Sequence, residues 1–289
     1  MTGSVTAATG KPTFLAGLIG TGIQASRTPA MHEREGAEQG LRYIYKLIDL
    51  DKLGLGTDAL PDLLTAAVRL GFDGLNVTYP CKQAIIPLLD DLSEDARALG
   101  AVNTVVLRDG KSFGHNTDGW GFAEGFRRGL PDVRRDRVVQ LGAGGAGAAV
   151  AHAALTLGTG QLTLFDVDGA RAEALAGDLC RRFGPGRAVA GSNLPDAMAR
   201  TDGLIHATPT GMAKLPGLPL PAELLHPALW VAEIVYFPLE TELLRVARRM
   251  GCQTLDGGGM AVFQAVGAFQ LITGRKADAD RMRRHFSSM

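Results

Sequence analysis

The sequence has little of what defines several large classes of protein. It contains three cysteines, which lie far apart without CxxC spacing, so neither a disulfide framework nor a zinc site is expected and a reducing cytosol is the natural environment. No apolar run approaches the ~20 residues that a membrane span needs. Thirty basic residues balance thirty acidic ones, which disfavours nucleic acid or an anionic membrane as a partner. Residues 1–12 lack the charged start and apolar core of a signal peptide, and we expect a loose tail there.

Apolar material, in contrast, is sufficient for two domains, since hydrophobic residues make up 46% of the 289 positions. Strand-like runs and helix-period segments alternate in the first part, which predicts a mostly parallel α/β domain over 12–118. A hairpin is expected at 102–115, where Asp109-Gly110 suits a tight turn. The other predicted strands cover 14–20, 43–50 and 74–78, and the predicted helices cover 29–40 and 60–68.

The second part of the chain follows the same alternation and ends in helices. We expect a doubly wound domain over 119–261, with the domain boundary at 118–122. The final segment, 262–289, is predicted to be helical and to pack back on the first domain. The predicted strands cover 137–141, 161–166, 203–207 and 229–235, and the predicted helices cover 148–157 and 170–183.

A glycine motif opens the helix that follows the strand at 137–141. Gly142, Gly144 and Gly147 match G-x-G-x-x-G, and this context is more specific than the bare pattern. The first glycine permits a tight turn, the second lets backbone approach a pyrophosphate, and the third allows close packing of helix on strand. The amides that begin the helix suit phosphate charge. The motif therefore predicts that the second domain is a Rossmann-type nucleotide-binding domain.

Asp166 ends the next predicted strand and indicates which dinucleotide is bound. A carboxylate at this position can accept both ribose hydroxyls of the adenosine and would repel a 2′-phosphate. Arg171 is the nearest arginine that follows, and it lies inside the next helix, for which Asp168 is a suitable N-cap. The sequence therefore predicts NAD as cofactor and disfavours NADP.

Four segments outside the glycine motif are rich in hydroxyl and amide side chains. Each follows or flanks a predicted strand, so all should lie on one rim of the sheet: 26–29, 76–82, 101–104 and 116–119. Because they contain few basic residues, they suit a small polyhydroxylated ligand better than a phosphate or a nucleic acid.

These segments resemble the motifs of the shikimate dehydrogenase family, in order, from Gly20 to Gln270. The matching sequences are NVTYPCK at 76–82, AVNT at 101–104, NTDG at 116–119, GAGGAG at 142–147, VYFPLET at 235–241 and GGGMAVFQ at 257–264. Because the motifs occur together and in the same order, the match is specific. The resemblance implies two α/β domains and a nicotinamide-dependent dehydrogenase that acts on a ring alcohol.

By this resemblance Lys82 and Asp118 form the catalytic pair. Oxidising a secondary alcohol requires a group that removes the hydroxyl proton while hydride leaves for the nicotinamide. A lysine can do so only where burial disfavours its charged form, whereas a nearby aspartate favours that form. We therefore expect Asp118 to orient Lys82 and to bind the same substrate hydroxyl, and the sequence leaves open which of the two moves the proton.

The resemblance also implies the contacts of substrate and cofactor. Ser26 and Thr28 would hold the substrate carboxylate, with Tyr236 as a further contact. The ring hydroxyls would be bound by Thr78, Asn103 and Gln264. A local turn or cap hydrogen bond is an equally ordinary explanation for each of these side chains. The implied cofactor residues are Gly142, Gly144, Gly145, Ala146, Gly147, Asp166, Arg171, Thr208, Met212, Val235 and Gly259.

Two departures from the common family pattern indicate substrate and cofactor. Thr28 stands where shikimate-specific members carry a serine, and Phe165-Asp166 stands where NADP-using members carry an Asn-Arg-type pair. Both changes resemble the NAD-using quinate/shikimate dehydrogenases. Threonine adds a methyl group and a stiffer χ1 beside the ring carbon that bears the carboxylate, where quinate and shikimate differ. We therefore predict quinate and shikimate as substrates. We expect the protein to be cytoplasmic and to be a monomer or a homodimer.

Three other side chains are interpreted more simply. His206 stands where the family mostly has asparagine, and it either contacts the cofactor from the end of a strand or packs in the interior. Arg27 is interpreted as a solvated charge at the rim, because its neighbours match the hydroxyl-bearing positions. His32 lacks a partner at metal-ligand spacing and is expected to be structural, and no metal site is predicted.

Other functions compatible with this pattern belong to two classes. One is an enzyme of the same architecture with another substrate, such as an aminoshikimate dehydrogenase or a strictly shikimate-specific enzyme; a methylene-tetrahydrofolate-type dehydrogenase lacks support from the hydroxyl-rich motifs. The other is a non-catalytic, ligand-sensing regulator of the same fold. Such a regulator should have lost Lys82 or Asp118, and both are present.

Overall fold

The computed structural model describes residues 10–289; residues 1–9, which hold most of the predicted N-terminal tail, lie outside the described residues. The chain forms two compact units. The first consists of the chain up to Leu92, Val102–His115 and Ala268–Met289, and the second of Ser93–Ala101 and Asn116–Gly267. Ser93–Ala101 therefore groups with the second unit, whereas the sequence analysis included it in the 12–118 domain.

The first unit is built on a six-stranded sheet. Its strands are β1 Thr13–Gly20, β2 Arg42–Asp49, β3 Gly74–Val77, β4 Asp91–Leu92, β5 Thr104–Arg108 and β6 Lys111–His115, in the spatial order β2-β1-β3-β5-β6-β4. β1 is parallel to β2 and β3, and β4 is parallel to β6, while β5 is antiparallel to β3 and β6. The predicted hairpin is confirmed as β5 and β6, and both Asp109 and Gly110 at its turn have positive φ.

The second unit is built on a six-stranded sheet in which every neighbouring pair is parallel. Its strands are β7 Arg137–Leu141, β8 Gln161–Phe165, β9 Ala188–Ala190, β10 Gly203–His206, β11 Trp230–Glu233 and β12 Gln253–Leu255, in the spatial order β12-β11-β10-β7-β8-β9. This is the order of the doubly wound dinucleotide-binding fold, with its switch point between β7 and β10. The predicted Rossmann-type architecture is thereby confirmed.

Every helix that the sequence predicts is present, together with several that it does not predict. In chain order they are α1 Thr28–Glu38, α2 Leu50–Leu53, α3 Leu60–Arg69, α4 Cys81–Ala84, α5 Glu94–Leu99, α6 Asp118–Gly129, α7 Gly145–Thr156, α8 Gly169–Phe183, α9 Leu194–Met198, α10 Glu242–Arg249, α11 Gly258–Thr273 and α12 Ala279–Ser288. Short 3-10 helices cover Thr57–Ala59, Ile86–Leu88 and Ala222–Leu224. The sequence analysis missed α6, because it interpreted 118–122 as a domain boundary.

Helix α12 packs on α1 within the first unit. The buried Glu35 of α1 accepts hydrogen bonds from Arg281 of α12 and from the backbone N of Asp278. Arg27, directly before α1, lies with its guanidinium 5.1 Å from the centre of the Phe286 ring and donates to Phe286 O at 3.4 Å. Arg27 is half-buried, and its cation lies over an aromatic ring of α12, a contact that the sequence analysis did not predict.

The core of the second unit lies on both faces of its sheet, as the alternation of side chains along β7 requires. Val138 packs with Phe126 and Trp230 on one face, where the two rings meet edge to face at 5.0 Å. Val139 packs with Leu243 on the opposite face. No helix within residues 10–289 is long and apolar enough to cross a membrane.

Candidate active site

Two candidate substrate residues of the first unit lie at the end of its sheet where β1 and β3 have their carboxyl termini. Thr78 directly follows β3, and Asn103 directly precedes β5. Because β5 is antiparallel to β3, its beginning lies beside the end of β3, where Val77 N donates to Asn103 O at 2.8 Å. β1 also ends here, and Thr78 N donates to Ile19 O at 2.9 Å. The topology therefore brings the segments around Thr78 and Asn103 together.

Glycine at the end of β1 permits a close approach at this end of the sheet. A Cβ on Gly20 would overlap the methyl carbon of Thr78 and would lie 2.9 Å from Tyr79 O. Any larger side chain would push the Thr78 segment away from β1. The glycine that ends this strand thus positions a candidate substrate residue.

A chain of buried side chains fixes the orientation of Asn103. Thr104 Oγ1 donates to Asn103 Oδ1 at 3.0 Å, and Asn76 Nδ2 donates to Thr104 Oγ1 at 3.1 Å. Tyr45 Oη donates to Asn76 Oδ1 at 2.7 Å, and burial keeps the pKa of Tyr45 well above its usual value, so the phenol stays protonated. Asn76 therefore contacts Asn103 both through Thr104 and directly, by donating to Asn103 O at 3.3 Å. The sequence analysis missed Tyr45, which carries no motif signal.

Ser26 and Thr28 lie at the start of α1. Ser26 Oγ accepts a hydrogen bond from Thr28 N at 3.3 Å, which is the local turn contact that the sequence analysis held open for such residues. Because this bond uses Ser26 Oγ as an acceptor, the hydroxyl hydrogen can still be donated to a carboxylate.

Lys82 belongs to the short helix α4, immediately after the Thr78 segment. Its side chain is half-buried, and its backbone oxygen accepts from Val102 N at 2.9 Å. The neighbouring Cys81 is completely buried, and burial raises the pKa of its thiol to about 11. The thiol is therefore protonated at neutral pH.

Asp118 is the first residue of α6 and belongs to the second unit. It is 6% exposed, and its backbone N donates to Asn116 Oδ1 at 3.0 Å. The preceding Thr117 donates its hydroxyl to Gln264 O on α11 at 3.0 Å. A Cβ on Gly121 would lie 2.7 Å from Gln264 N, so this glycine lets α6 lie directly against α11. The second unit thus brings Asp118 and the Gln264 segment together.

The glycine loop fits a pyrophosphate. A Cβ on Gly142 would lie 2.5 Å from Ala207 O, and one on Gly147 would overlap Gly142 O, so packing requires both glycines. A Cβ on Gly144 or Gly145 would meet nothing within 4 Å, and the N-cap of α7 carries no side-chain cap. The amides at the start of α7 are therefore not covered by side chains at these positions, as a phosphate cradle requires.

Gln140 supports this loop and was missed by the sequence analysis. Its amide nitrogen donates to Gly142 O and to Gly147 O, both at 2.8 Å, and the residue is completely buried. The only available signal was a polar residue inside an otherwise apolar strand.

Asp166 follows β8 and lies against the glycine loop. Its Oδ2 accepts from Ala143 N at 2.7 Å and its Oδ1 from Asp168 N at 2.9 Å, and its side chain is 6% exposed. Arg171 Nη1 lies 3.4 Å from Asp166 Oδ1, and Arg171 Nη2 lies 3.4 Å from Asp168 Oδ2. Asp168 also caps α8, as predicted. Two carboxylates therefore surround one guanidinium at this end of the sheet.

His206 is completely buried, which decides between its two interpretations in favour of an interior histidine. Its Nδ1 lies 2.8 Å from Glu233 Oε1 and its Nε2 lies 2.5 Å from Thr208 Oγ1. Glu233 was missed by the sequence analysis, because its contact with His206 depends on the register of β10 against β11.

The remaining candidates occupy the same end of the second sheet or lie near α6. Val235 is buried just after β11, and Gly259 packs against Gly125 of α6 with a hypothetical Cβ 3.5 Å from its Cα. Met212 and Tyr236 are 41% and 45% exposed. The first unit contains five of the candidates: Ser26, Thr28, Thr78, Lys82 and Asn103. The second unit contains Asp118, Tyr236, Gln264 and the cofactor residues.

One unit is a mostly parallel α/β unit with a polar rim, and the other is a doubly wound unit that carries a glycine loop. These features define the class of two-domain, dinucleotide-binding α/β proteins. A family model described as the shikimate dehydrogenase substrate binding domain matches residues 18–105. A shikimate dehydrogenase (NADP(+)) from Streptomyces avermitilis is 65% identical over 271 residues, 93% of each chain. The chain belongs to the shikimate dehydrogenase family.

Relatives described with the other cofactor also match along the whole chain. A quinate/shikimate dehydrogenase (NAD(+)) from Corynebacterium efficiens is 50% identical over 280 residues, which cover 96% of this chain and 98% of the relative. The solved structure of quinate dehydrogenase from Corynebacterium glutamicum in complex with NAD superposes with a TM-score of 0.92 at 48% identity, covering 96% of this chain and all of that one.

Proposed function

We propose that this protein is an NAD-dependent dehydrogenase that oxidises a ring alcohol of quinate and of shikimate, giving 3-dehydroquinate and 3-dehydroshikimate. The observation that carries the proposal is the buried carboxylate of Asp166 at the glycine loop of a shikimate dehydrogenase family member. The relatives from the two Corynebacterium species, which are described with NAD and with quinate, support the same reading.

The charges near Asp166 favour NAD over NADP. A 2′-phosphate bound beside the adenosine ribose would approach a carboxylate that is almost completely buried, where water screens its charge poorly. Arg171 could offset that repulsion, but its guanidinium already lies near two carboxylates, those of Asp166 and Asp168. The Streptomyces relative, described with NADP(+), supports a second candidate: an NADP-dependent shikimate dehydrogenase in which Arg171 turns to the phosphate.

In the proposed reaction, Lys82 and Asp118 act on the substrate hydroxyl. Bound NAD supplies the hydride acceptor. Lys82, half-buried on α4, and Asp118, almost completely buried at the start of α6, bind the hydroxyl and take up its proton. Where Lys82 is the base it is neutral before the step and becomes the ammonium on taking up the proton. In the reverse direction the same pair returns the proton to the carbonyl oxygen.

Substrate recognition is assigned to hydroxyl and amide groups. Ser26 and Thr28 bind the carboxylate with Tyr236, and the added methyl of Thr28 lies beside the ring carbon at which quinate and shikimate differ. Thr78, Asn103 and Gln264 bind the ring hydroxyls. The hydrogen bond from Thr104 to Asn103 Oδ1 supports this role, because it holds one end of the amide in place before substrate arrives.

The test is a matrix of kcat/KM values for quinate and shikimate, each with NAD and NADP, with Lys82→Ala as the inactive control. The proposal requires turnover of both acids with NAD and a preference for NAD over NADP. No turnover of quinate would leave a strictly shikimate-specific enzyme, and activity on an amino analogue alone would identify an aminoshikimate dehydrogenase. Binding without any turnover would identify a ligand-sensing regulator.

The three cysteines carry free thiols, which supports the cytosol as the location of this protein.

A further inference from the structure

The side chains that follow β10 and β11 form a hydroxyl–imidazole–carboxylate series that the proposed reaction does not use. His206 Nδ1 lies 2.8 and 3.0 Å from the two oxygens of Glu233, and His206 Nε2 lies 2.5 Å from Thr208 Oγ1. His206 is 0% exposed and Glu233 is 2% exposed. A buried polar series of this kind constrains the positions of its hydrogens, because each group can only donate or accept in certain ways.

Glu233 acts as an acceptor at both oxygens. Its Oε1 accepts from Val235 N at 2.9 Å, and its Oε2 accepts from the Thr241 hydroxyl at 3.1 Å. Thr241 Oγ1 in turn accepts from Leu244 N at 3.3 Å as the cap of α10. Since backbone N–H groups only donate, this arrangement suits an ionised carboxylate, and the third donor that it requires is the Nδ1–H of His206.

In a neutral imidazole, donation from Nδ1 determines the role of the other ring nitrogen. A neutral imidazole with hydrogen on Nδ1 has an unprotonated Nε2, which accepts from the Thr208 hydroxyl. Thr208 Oγ1 also accepts from Thr210 N at 3.3 Å. The hydroxyl hydrogen of Thr208 is thus committed to His206, and its oxygen can only accept from any further partner.

Thr208 lies at the switch point of the second sheet. It follows β10, the neighbour of β7, and a Cβ on Gly142 would lie 3.1 Å from Thr208 Cγ2. The loop of Thr208 therefore lies beside the first glycine of the phosphate loop, where dinucleotides bind in this fold.

We propose that His206 and Glu233 are positioning residues that hold Thr208 as a dedicated hydrogen-bond acceptor for the dinucleotide. The group it recognises is a donor, a ribose hydroxyl or the carboxamide N–H of the nicotinamide half, and not a phosphate oxygen, which can only accept. This inference rests on the proposed function and deepens it.

The first measurement reads the protonation of His206 directly. Nitrogen-15 chemical shifts of the histidine rings, with His206 assigned by the loss of its signals in His206→Asn, are expected to show a neutral ring with hydrogen on Nδ1. A doubly protonated ring would overturn the proposal, because Nε2 would then donate to Thr208 and release the hydroxyl hydrogen for other partners.

The second measurement compares Thr208→Val with Thr208→Ser. Loss of one neutral hydrogen bond to the dinucleotide corresponds to about a tenfold increase in its Kd and KM in Thr208→Val. Thr208→Ser should stay within about twofold of the unaltered protein. The KM for the cyclitol acid should be unchanged in both. Equal Kd values for the two variants would overturn the proposal.

The third measurement tests whether Glu233 acts through Thr208. The glutamine in Glu233→Gln can donate to Nδ1 and so reverse the tautomer of His206. This substitution should raise the Kd of the dinucleotide when Thr208 is present. It should leave the Kd unchanged when it is combined with Thr208→Val. Additive effects would contradict the coupling. If Glu233→Gln does not fold, as thermal unfolding would show, the Thr208 comparison and the nitrogen-15 shifts still decide. Because Kd is measured by calorimetry without turnover, a failure of the proposed catalytic function is distinguishable from a failure of this inference.

Discussion

Arg281 donates to both carboxylate oxygens of Glu35, from Nη2 to Oε1 at 2.7 Å and from Nε to Oε2 at 2.8 Å. The Glu35 side chain is completely buried, whereas that of Arg281 is 30% exposed. The side-chain hydrogen bond to Glu35 raises the pKa of Arg281 further above its usual value. The carboxylate therefore depends on a partner that reaches it from the surface, and that partner joins α12 to α1.

Removing this arginine should destabilise the first unit. Arg281→Ala leaves the charge of Glu35 buried without its guanidinium, and breaking a buried ion pair in this way costs about 3 to 4 kcal/mol. Chemical denaturation should show this loss in the free energy of unfolding. Arg34→Ala is the matched control, because Arg34 pairs with Glu38 on the same helix with side chains 60% and 37% exposed. A surface pair contributes at most about 1 kcal/mol, so similar losses in the two variants would contradict the argument.

The free energy of unfolding should decrease as the pH is lowered, because His32 is buried in its neutral form. Burial lowers the pKa of this histidine to about 3, against 6.5 in the unfolded chain. Between these values the unfolded state binds a proton that the folded state does not, so the free energy of unfolding decreases as the pH falls below 6.5. From pH 7 to pH 5 the loss from this group is about 2 kcal/mol.

The pH dependence is checked by denaturation of the unaltered protein and of His32→Gln at both pH values. Glutamine does not titrate, so the variant should lose about 2 kcal/mol less over the same interval, whatever its absolute stability. His32 contacts Tyr43 Oη at 3.1 Å, and that contact is lost in the variant at every pH. Identical pH profiles would rule out a neutral His32 as a source of acid sensitivity.

Cofactor preference should depend on Asp166. Asp166→Asn removes the charge that faces a 2′-phosphate and is expected to improve kcat/KM with NADP relative to NAD by roughly tenfold. Asp168→Asn is the control: it removes a charge of the same sign two residues away and keeps the capping of α8, since asparagine is an equally good N-cap. If Asp168→Asn shifts the ratio as much, the preference comes from the general field of this region and not from Asp166.

Contact between α6 and α11 should matter for turnover. Gly121→Ala places a Cβ 2.7 Å from Gln264 N and 2.9 Å from Met260 O, both in the backbone of α11. The helices must separate, which we expect to cost about 1 to 3 kcal/mol of stability and to lower kcat by displacing Asp118.

Gly177→Ala provides the contrast for this prediction. Gly177 lies inside α8, and the nearest atom to a new Cβ would be Arg181 Nη1, at the flexible end of that side chain, 3.7 Å away. The free energy of unfolding of this variant should be higher by about 0.5 to 1 kcal/mol, because alanine favours the helix. Its kcat should be unchanged. A loss of activity in both variants would show that the effect is not specific to the α6–α11 contact.

The sequence predicted elements whose signal is local. The strand at 137–141 was located to the residue, because an apolar run leads directly into the glycine loop. Helix α6 was missed because glycine recurs along it, as at Gly121 and Gly125, and glycine disfavours an isolated helix. The same glycines let α6 lie against α11, so tertiary packing supplies the stability that propensity lacks.

Side-chain partners distant in sequence were beyond local patterns. His206 was recognised as unusual, but its carboxylate partner Glu233 lies 27 positions later and becomes a neighbour through strand register. Asn76 belonged to a recognised motif, yet its link to Tyr45 depends on β2 and β3 flanking β1. Motifs identified candidate residues, and the sheet order determined what those residues contact.

The contact between Arg27 and Phe286 has a consequence for how the first unit is completed. The two residues are 259 positions apart, and the second unit is encoded between them. Asn116–Gly267 is one continuous segment that contains every strand of the second sheet, whereas the loop that carries Ser26 and Thr28 is held by α12 at the other end of the chain. The first unit is therefore closed only by the last residues of the chain, whereas the sheet of the second unit is complete without them.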